Sequence, residues 1–111
     1  MDRISEYGVI IERIFDSIAA QIPEDDEVRT ERNYDVERGH YALLRVGWRD
    51  TRRIHGIVIH ADVRGDKVWI EHDGTEDGIV DSLLDAGIPR EQIVLAFHPL
   101  YKRPYTGFAV A

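Results

Sequence analysis

Cysteine is absent from the chain. That removes a disulfide framework, a thiolate metal site and a cysteine nucleophile at once. Long apolar runs are absent too. No stretch approaches the ~20 residues that a membrane span needs. The opening MDRISEYGVII lacks a basic region followed by a clean apolar stretch. No signal peptide is therefore expected, and the chain is expected to stay in the cytoplasm.

Positive charge is in short supply. Fourteen lysines and arginines face 21 acidic residues, for a net charge of -7. Protonating all five histidines would raise it only to -2 (-7 + 5). A nucleic-acid binder displaces counterions with a basic face, so direct nucleic-acid binding is disfavoured. Basic residues do cluster at Arg45, Arg49, Arg52 and Arg53, and again at Lys102 and Arg103. They read first as solvated strand ends and loops. The four-arginine group is the alternative nucleic-acid-binding set.

Familiar catalytic patterns are missing as well. Ser5, Ser17 and Ser82 fall on predicted helices, and none sits in a nucleophile elbow. Gly74 and Gly78 lie near a predicted helix start without a GxGxxG or Walker pattern, and no HExxH occurs.

What is present is a chain of 111 residues, 43% hydrophobic and 32% charged. That suits one domain with a core large enough to need no metal or disulfide staple. Ile4, Tyr7, Ile11, Ile14 and Ile18 are spaced as one helical face, widened by Ile10 and Phe15. A helix is predicted from residue 2 to about residue 20, burying that stripe against a sheet. Pro23 stops it, and Glu24-Asp25-Asp26-Glu27 reads as a solvated link. Alternation predicts a half-exposed strand over 28–36. After a turn at Arg38-Gly39, a second strand is predicted over 40–48. Ala42, Leu44, Val46 and Trp48 share one of its faces, and Tyr41, Leu43 and Arg45 the other.

The segment from Arg52 to Phe97 organises the rest. Ile54 to Val63 is nearly continuous in apolar residues and reads as a central strand, with Ile57, Ile59, Ala61 and Val63 on one face. Gly56 suggests a bulge or a close neighbour. A hairpin at Arg64-Gly65-Asp66-Lys67 leads into a strand ending at His72. Asp73 and Thr75 are N-cap candidates for a second helix, with Glu76 and Asp77 in its first turn. Ile79, Val80 and Leu83 are its buried side. Gly87 is expected to stop it, with Ile88 touching Leu83 across a Schellman-type end before Pro89. A short buried strand is predicted over 93–97. The tail ends on Phe108-Ala109-Val110-Ala111, and so apolar an end is expected to be tied down in the core or at an interface. Together these elements predict an α+β domain: a mainly antiparallel sheet of about five strands, with both helices packed on it.

Two constellations carry candidate chemistry. His60, Asp62, His72 and Asp73 could hold a metal for a hydrolase or nuclease subunit. If the hairpin closes at Gly65-Asp66, His60 lies across from Glu71, and a one-residue change would place it across from His72. Solvated or structural histidines are the simpler reading, so no metal or other cofactor is expected. Asp73, Glu76 and Asp77 could be paired carboxylates, but acids at a helix start are ordinary caps. Trp48 and Trp69 read as core or interface aromatics.

Val46-Gly47-Trp48, RIHGIVIHAD at 53–62, KVWI at 67–70, DGTEDGI at 73–79, Gly87-Ile88-Pro89, Ile93-Val94-Leu95, Thr106 and the closing FAVA all match one pattern. In order and spacing, over the whole of residues 1–111, the chain resembles the XisI-like family, the fdxN element excision controlling factors of cyanobacteria. Glu71-His72 and Gly107 depart from the pattern. The resemblance implies a non-enzymatic accessory factor for site-specific excision of a DNA element during heterocyst development, acting beside a recombinase and a second controlling factor. It supplies no catalytic residues. The expected partner is that second factor or a similar nuclease-like protein, steered electrostatically to acidic residues. Glu24 to Glu27 with Asp73, Glu76 and Asp77, or an apolar patch with Trp48, Phe108 and Val110, would make the contact. Self-association is the second arrangement open to such a tail.

Overall fold

The computed structural model describes residues 3–111, with side chains from Glu6 onward. The side chains of Ile4 and Ser5 lie outside that description. Helix α1 spans Arg3–Gln21. Its most deeply buried line is Tyr7, Ile11, Phe15 and Ala19, with Ile10, Ile14 and Ile18 packed along its flank. This i, i+4 line is the predicted stripe rotated slightly toward Phe15. Burying side chains of this size contributes roughly 1.5–3 kcal/mol each.

Strands β1 (Val28–Asp35), β2 (His40–Arg49), β3 (Arg52–Arg64) and β4 (Lys67–Asp73) follow, then α2 (Val80–Asp85) and β5 (Ile93–Leu95). The five strands stand side by side in chain order. The first four pair antiparallel, as short turns require, and β5 joins β4 in parallel after the α2 crossover. Both helices contribute to one core against Tyr41, Leu43, Ile59, Ala61, Val63, Val68 and Ile70. The core face of β2 is therefore the Tyr41–Leu43 face, and Trp48 lies 53% exposed on the other.

Two bulges shape the sheet. Leu43 faces Ile59 while Leu44 faces Ile57, so Val58 is the extra residue on β3. One inserted residue flips the alternation. Ile57, expected beside Ile59, Ala61 and Val63, is carried to the outer face and is 47% exposed. Gly56 has open space at its Cβ position. The close approach falls instead at Gly74, whose N–H donates to the Val58 carbonyl at 2.7 Å. The second bulge lies where His60 faces His72 and Ala61 faces Ile70, leaving Glu71 over. The hairpin does close at Gly65-Asp66. It is the bulge, and no change in loop length, that sets His60 across from His72.

Other boundaries shift for physical reasons. Val36 lies outside β1, and β5 stops at Leu95 because the chain turns at Ala96. Helix α2 starts at Val80, well after the predicted capping residues. Its stop is as expected: Gly87 takes φ +98°, its N–H donates to Leu84 O, and the Ile88 N–H donates to Leu83 O.

The acidic link is more than solvated chain. Asp25 accepts from the N–H groups of Glu27 (2.9 Å) and Val28 (2.7 Å) and pairs with Arg49 at 3.0 Å. The Val28 N–H above all, then Arg49 and the Glu27 N–H, hold the Asp25 carboxyl below its ordinary value. A lowered folded-state pKa contributes stability above the unfolded value, about 4, that is lost as pH falls through the folded value. In Asp25→Asn, the acid limb of a stability-versus-pH curve below about pH 4 should be shallower than in the parent. Equal slopes in denaturant titrations would show that Asp25 carries none of it.

Beneath α1, the Tyr41 hydroxyl is buried with no hydrogen-bond partner among the described residues, and burial pushes its phenol pKa up. An unpaired buried hydroxyl costs about 1–3 kcal/mol. Tyr41→Phe should therefore be neutral or stabilising by about 1 kcal/mol in urea denaturation. A loss of similar size would mean that the hydroxyl has a partner.

Candidate functional site

Asp73 ends β4 and holds the loop that follows. Its Oδ1 accepts from the Thr75 N–H at 3.0 Å and the Thr75 hydroxyl at 2.5 Å, and its Oδ2 accepts from the Ile79 N–H at 2.9 Å. Aspartate suits this because its short carboxylate folds back onto nearby backbone N–H groups. Asp73 is thus spent on structure, while Thr75, the other cap candidate, is one of its donors. Glu76 and Asp77 stand in an irregular loop and not in a first helical turn.

This loop and α1 form the walls of an open cleft of about 500 Å³. Ile14, Ile18 and Ile79 give it an apolar floor, and Glu76 and Asp77 rise on one side. Both acids are exposed, and neither has an ion pair or hydrogen bond among the described residues. Arg13 lines the opposite side. A negatively charged wall over an apolar floor suits a segment carrying both apolar and basic side chains.

The four-residue metal set is not assembled in this way. His60 Nε2 lies 3.0 Å from Asp62 Oδ1, but Asp73 is turned to its own loop. Among the described residues no group of three His, Asp or Glu side chains is arranged to hold a metal ion. What does gather is a polar cluster around Asp62, a carboxylate buried to 5% exposure. His40 Nδ1 lies 3.0 Å from its Oδ1, His60 approaches the same oxygen, and Arg64 stands 3.8 Å from Oδ2. A buried carboxylate requires such partners. The pairing of His40 with Asp62 follows from the β2–β3 register, which the sequence shows only once the Val58 bulge is known.

The arginine group is largely committed within the fold. Arg45 donates to the Thr30 hydroxyl at 2.8 Å, and Arg49 pairs with Asp25. Arg53 donates to Gly47 O at 3.2 Å and lies over the Trp48 ring, 5.5 Å from its centroid. Arg52 is exposed. At the C-terminal end, Phe108 packs partly buried on the core beneath Arg90, while Val110 stays 45% exposed. The tail is tied down by a residue that stands in the sequence only as part of a basic pair. Arg103 donates to the carbonyls of His98 (2.9 Å), Val110 (3.2 Å) and Ala96 (3.3 Å).

No described helix is long and apolar enough to cross a membrane. The fold and its surfaces define a small α+β module, a mixed and mostly antiparallel sheet backed by two helices, with an acidic-walled cleft on the helix side. The chain belongs to the XisI family, whose model, described as XisI protein, matches residues 1–110. A XisI-like protein from Anabaena variabilis has the same fold at a TM-score of 0.93 and 33% identity, over 97% of this chain and 99% of that one. The fdxN element excision controlling factor XisI from Anabaena variabilis aligns at a TM-score of 0.87 and 34% identity, over 99% of this chain and all (100%) of that one. A comparison with curated proteins finds no match.

Proposed function

We propose that this protein is a non-enzymatic controlling factor for the site-specific excision of a DNA element, and that it acts by binding a protein that handles DNA. Family membership supports the process, since a structure so similar is named an excision controlling factor. The observation that carries the mode of action is the uncommitted acidic wall of Glu76 and Asp77 over an apolar floor. Proteins that handle DNA carry basic surfaces, and such surfaces are steered toward acidic ones. The net charge of -7 disfavours the other route, direct contact with phosphates.

The test is co-expression with the recombinase and the second excision factor of the host, followed by affinity pull-down and size-exclusion chromatography. One of the two should be retained at moderate salt and lost in a Glu76→Lys/Asp77→Lys variant that melts normally. If the folded parent retains neither, the partner reading fails, and a small-ligand role becomes the better account.

A further inference from the structure

No aspartate or glutamate follows Glu91, in a chain that carries 21 of them. That last stretch is folded rather than frayed. The 3-10 turn Arg103–Tyr105 closes it, Ala109 bridges to Val94, and the three carbonyl bonds of Arg103 hold its two ends together. Arg103 also lies over Trp69, 5.8 Å from the ring centroid. Yet the tail turns its large side chains outward: Leu100 is 66% exposed, Tyr101 72% and Tyr105 88%. Leaving apolar groups of this size in water forgoes roughly 1.5–3 kcal/mol each. Tyrosines beside basic side chains are also the composition of interface hot spots. Lys102, in the middle of the knob, is exposed, and its ammonium has no partner among the described residues.

The same molecule carries the complement. The cleft between α1 and the loop after Asp73 offers Ile14, Ile18 and Ile79 below and the unpaired Glu76 and Asp77 beside them. The tail is anchored at the β5 edge and over Trp69, whose side chain alternates away from the core residues Val68 and Ile70. The cleft lies on the opposite, helix-bearing side. We propose that the tail knob of one copy docks into the cleft of a second copy, Leu100 and Tyr101 over the isoleucine floor and Lys102 against Glu76 and Asp77. The contact joins two different surfaces of the same chain. Each copy therefore offers one knob and one cleft on opposite sides, and the head-to-tail contact closes as a small ring. The excision reading places a DNA-handling partner against the same acidic wall, so the tail of a second copy and that partner would compete for one cleft.

Sedimentation velocity over a concentration series tests it. The parent should self-associate, less so at high salt because the ion pairs are screened. Leu100→Asp/Tyr101→Asp, which alters only exposed side chains, should melt like the parent and associate at least about tenfold more weakly. Glu76→Lys/Asp77→Lys should do the same. An equimolar mixture of the two variants should form a one-to-one pair, because one intact knob then meets one intact cleft. A parent that stays monomeric overturns the proposal. So does an oligomer that survives the cleft variant, or a mixture that fails to pair. The knob variant separates the two readings because it spares the cleft: it should lose the oligomer and still retain the DNA-handling partner, whereas a folded parent that oligomerises but whose knob variant retains no such partner would count only against the excision reading.

Discussion

Gly47→Ala should destabilise the fold by about 3 kcal/mol or more, the upper end of overpacking effects. Gly47 in β2 faces Val28 in β1. A Cβ there would stand 2.0 Å from the Glu27 carbonyl oxygen and 2.8 Å from Val28 Cα, both backbone atoms. Its φ of +159° lies at the edge of extended backbone, so close contact carries the effect. A flexible side chain could swing aside, but the backbone of β1 can retreat only by giving up the Trp48 N–H bond to Glu27 O and the burial of Val28. With a domain stability of about 5–15 kcal/mol, a loss of that size should lower the melting temperature by roughly 10 °C or more. Gly56→Ala is the control. That glycine sits in the next strand with nothing within 4 Å of its Cβ position, so alanine should be neutral or slightly stabilising. Urea denaturation of both variants decides the matter, and equal midpoints would overturn the contact argument.

These two glycines also show what a sequence can and cannot reveal. Signals that act within a few residues are legible. The Gly87-Ile88-Pro89 stop can be read directly because a left-handed glycine, a following apolar residue and a proline are all local. The α1 stripe is legible because helical periodicity reports one buried face. Gly47 and Gly56 look alike in sequence and both pair with a neighbouring strand, yet only at Gly47 does that chain's backbone fill the Cβ position, and that depends on which strand lies beside it and in what register. The Val58 bulge is the same kind of event. Gly56 in HGIVIHAD hints at a bulge but not at its position, and the bulge at Val58 sends Ile57 outward and sets the register that brings His40 to Asp62. In the candidate site, the acidic residues of DGTEDGI are visible as a group. Their division of labour is not, since it depends on which carboxylate reaches the Ile79 N–H. Arg103 is hidden for a similar reason, because its three carbonyl partners exist only once the tail has turned back on itself.

Asp73→Asn should cost about 1–3 kcal/mol and also weaken whatever binds the cleft, although the side chain at this position does not line it. The asparagine oxygen can still accept from Thr75, but its amide nitrogen cannot accept from the Ile79 N–H, which Asp73 Oδ2 now takes at 2.9 Å. Ile79 is 1% exposed, so that N–H would have no water to turn to. The loop from Gly74 to Gly78 would then be held at its start, at Thr75 and through the Gly74 N–H bond to Val58 O, and released at its far end. Glu76 and Asp77 lie within the released part, so the acidic wall would lose its fixed place over Ile14 and Ile18. The expected signature is specific. Hydrogen exchange at the Ile79 amide should speed up strongly in Asp73→Asn. Amides of β2 and β3 should change only by the global loss of stability. Binding at the cleft should fall with both acids still in place. Exchange at Ile79 that stays at the parent rate in Asp73→Asn would show that the loop does not depend on this carboxylate, and Asp73 would return to being one more surface acid.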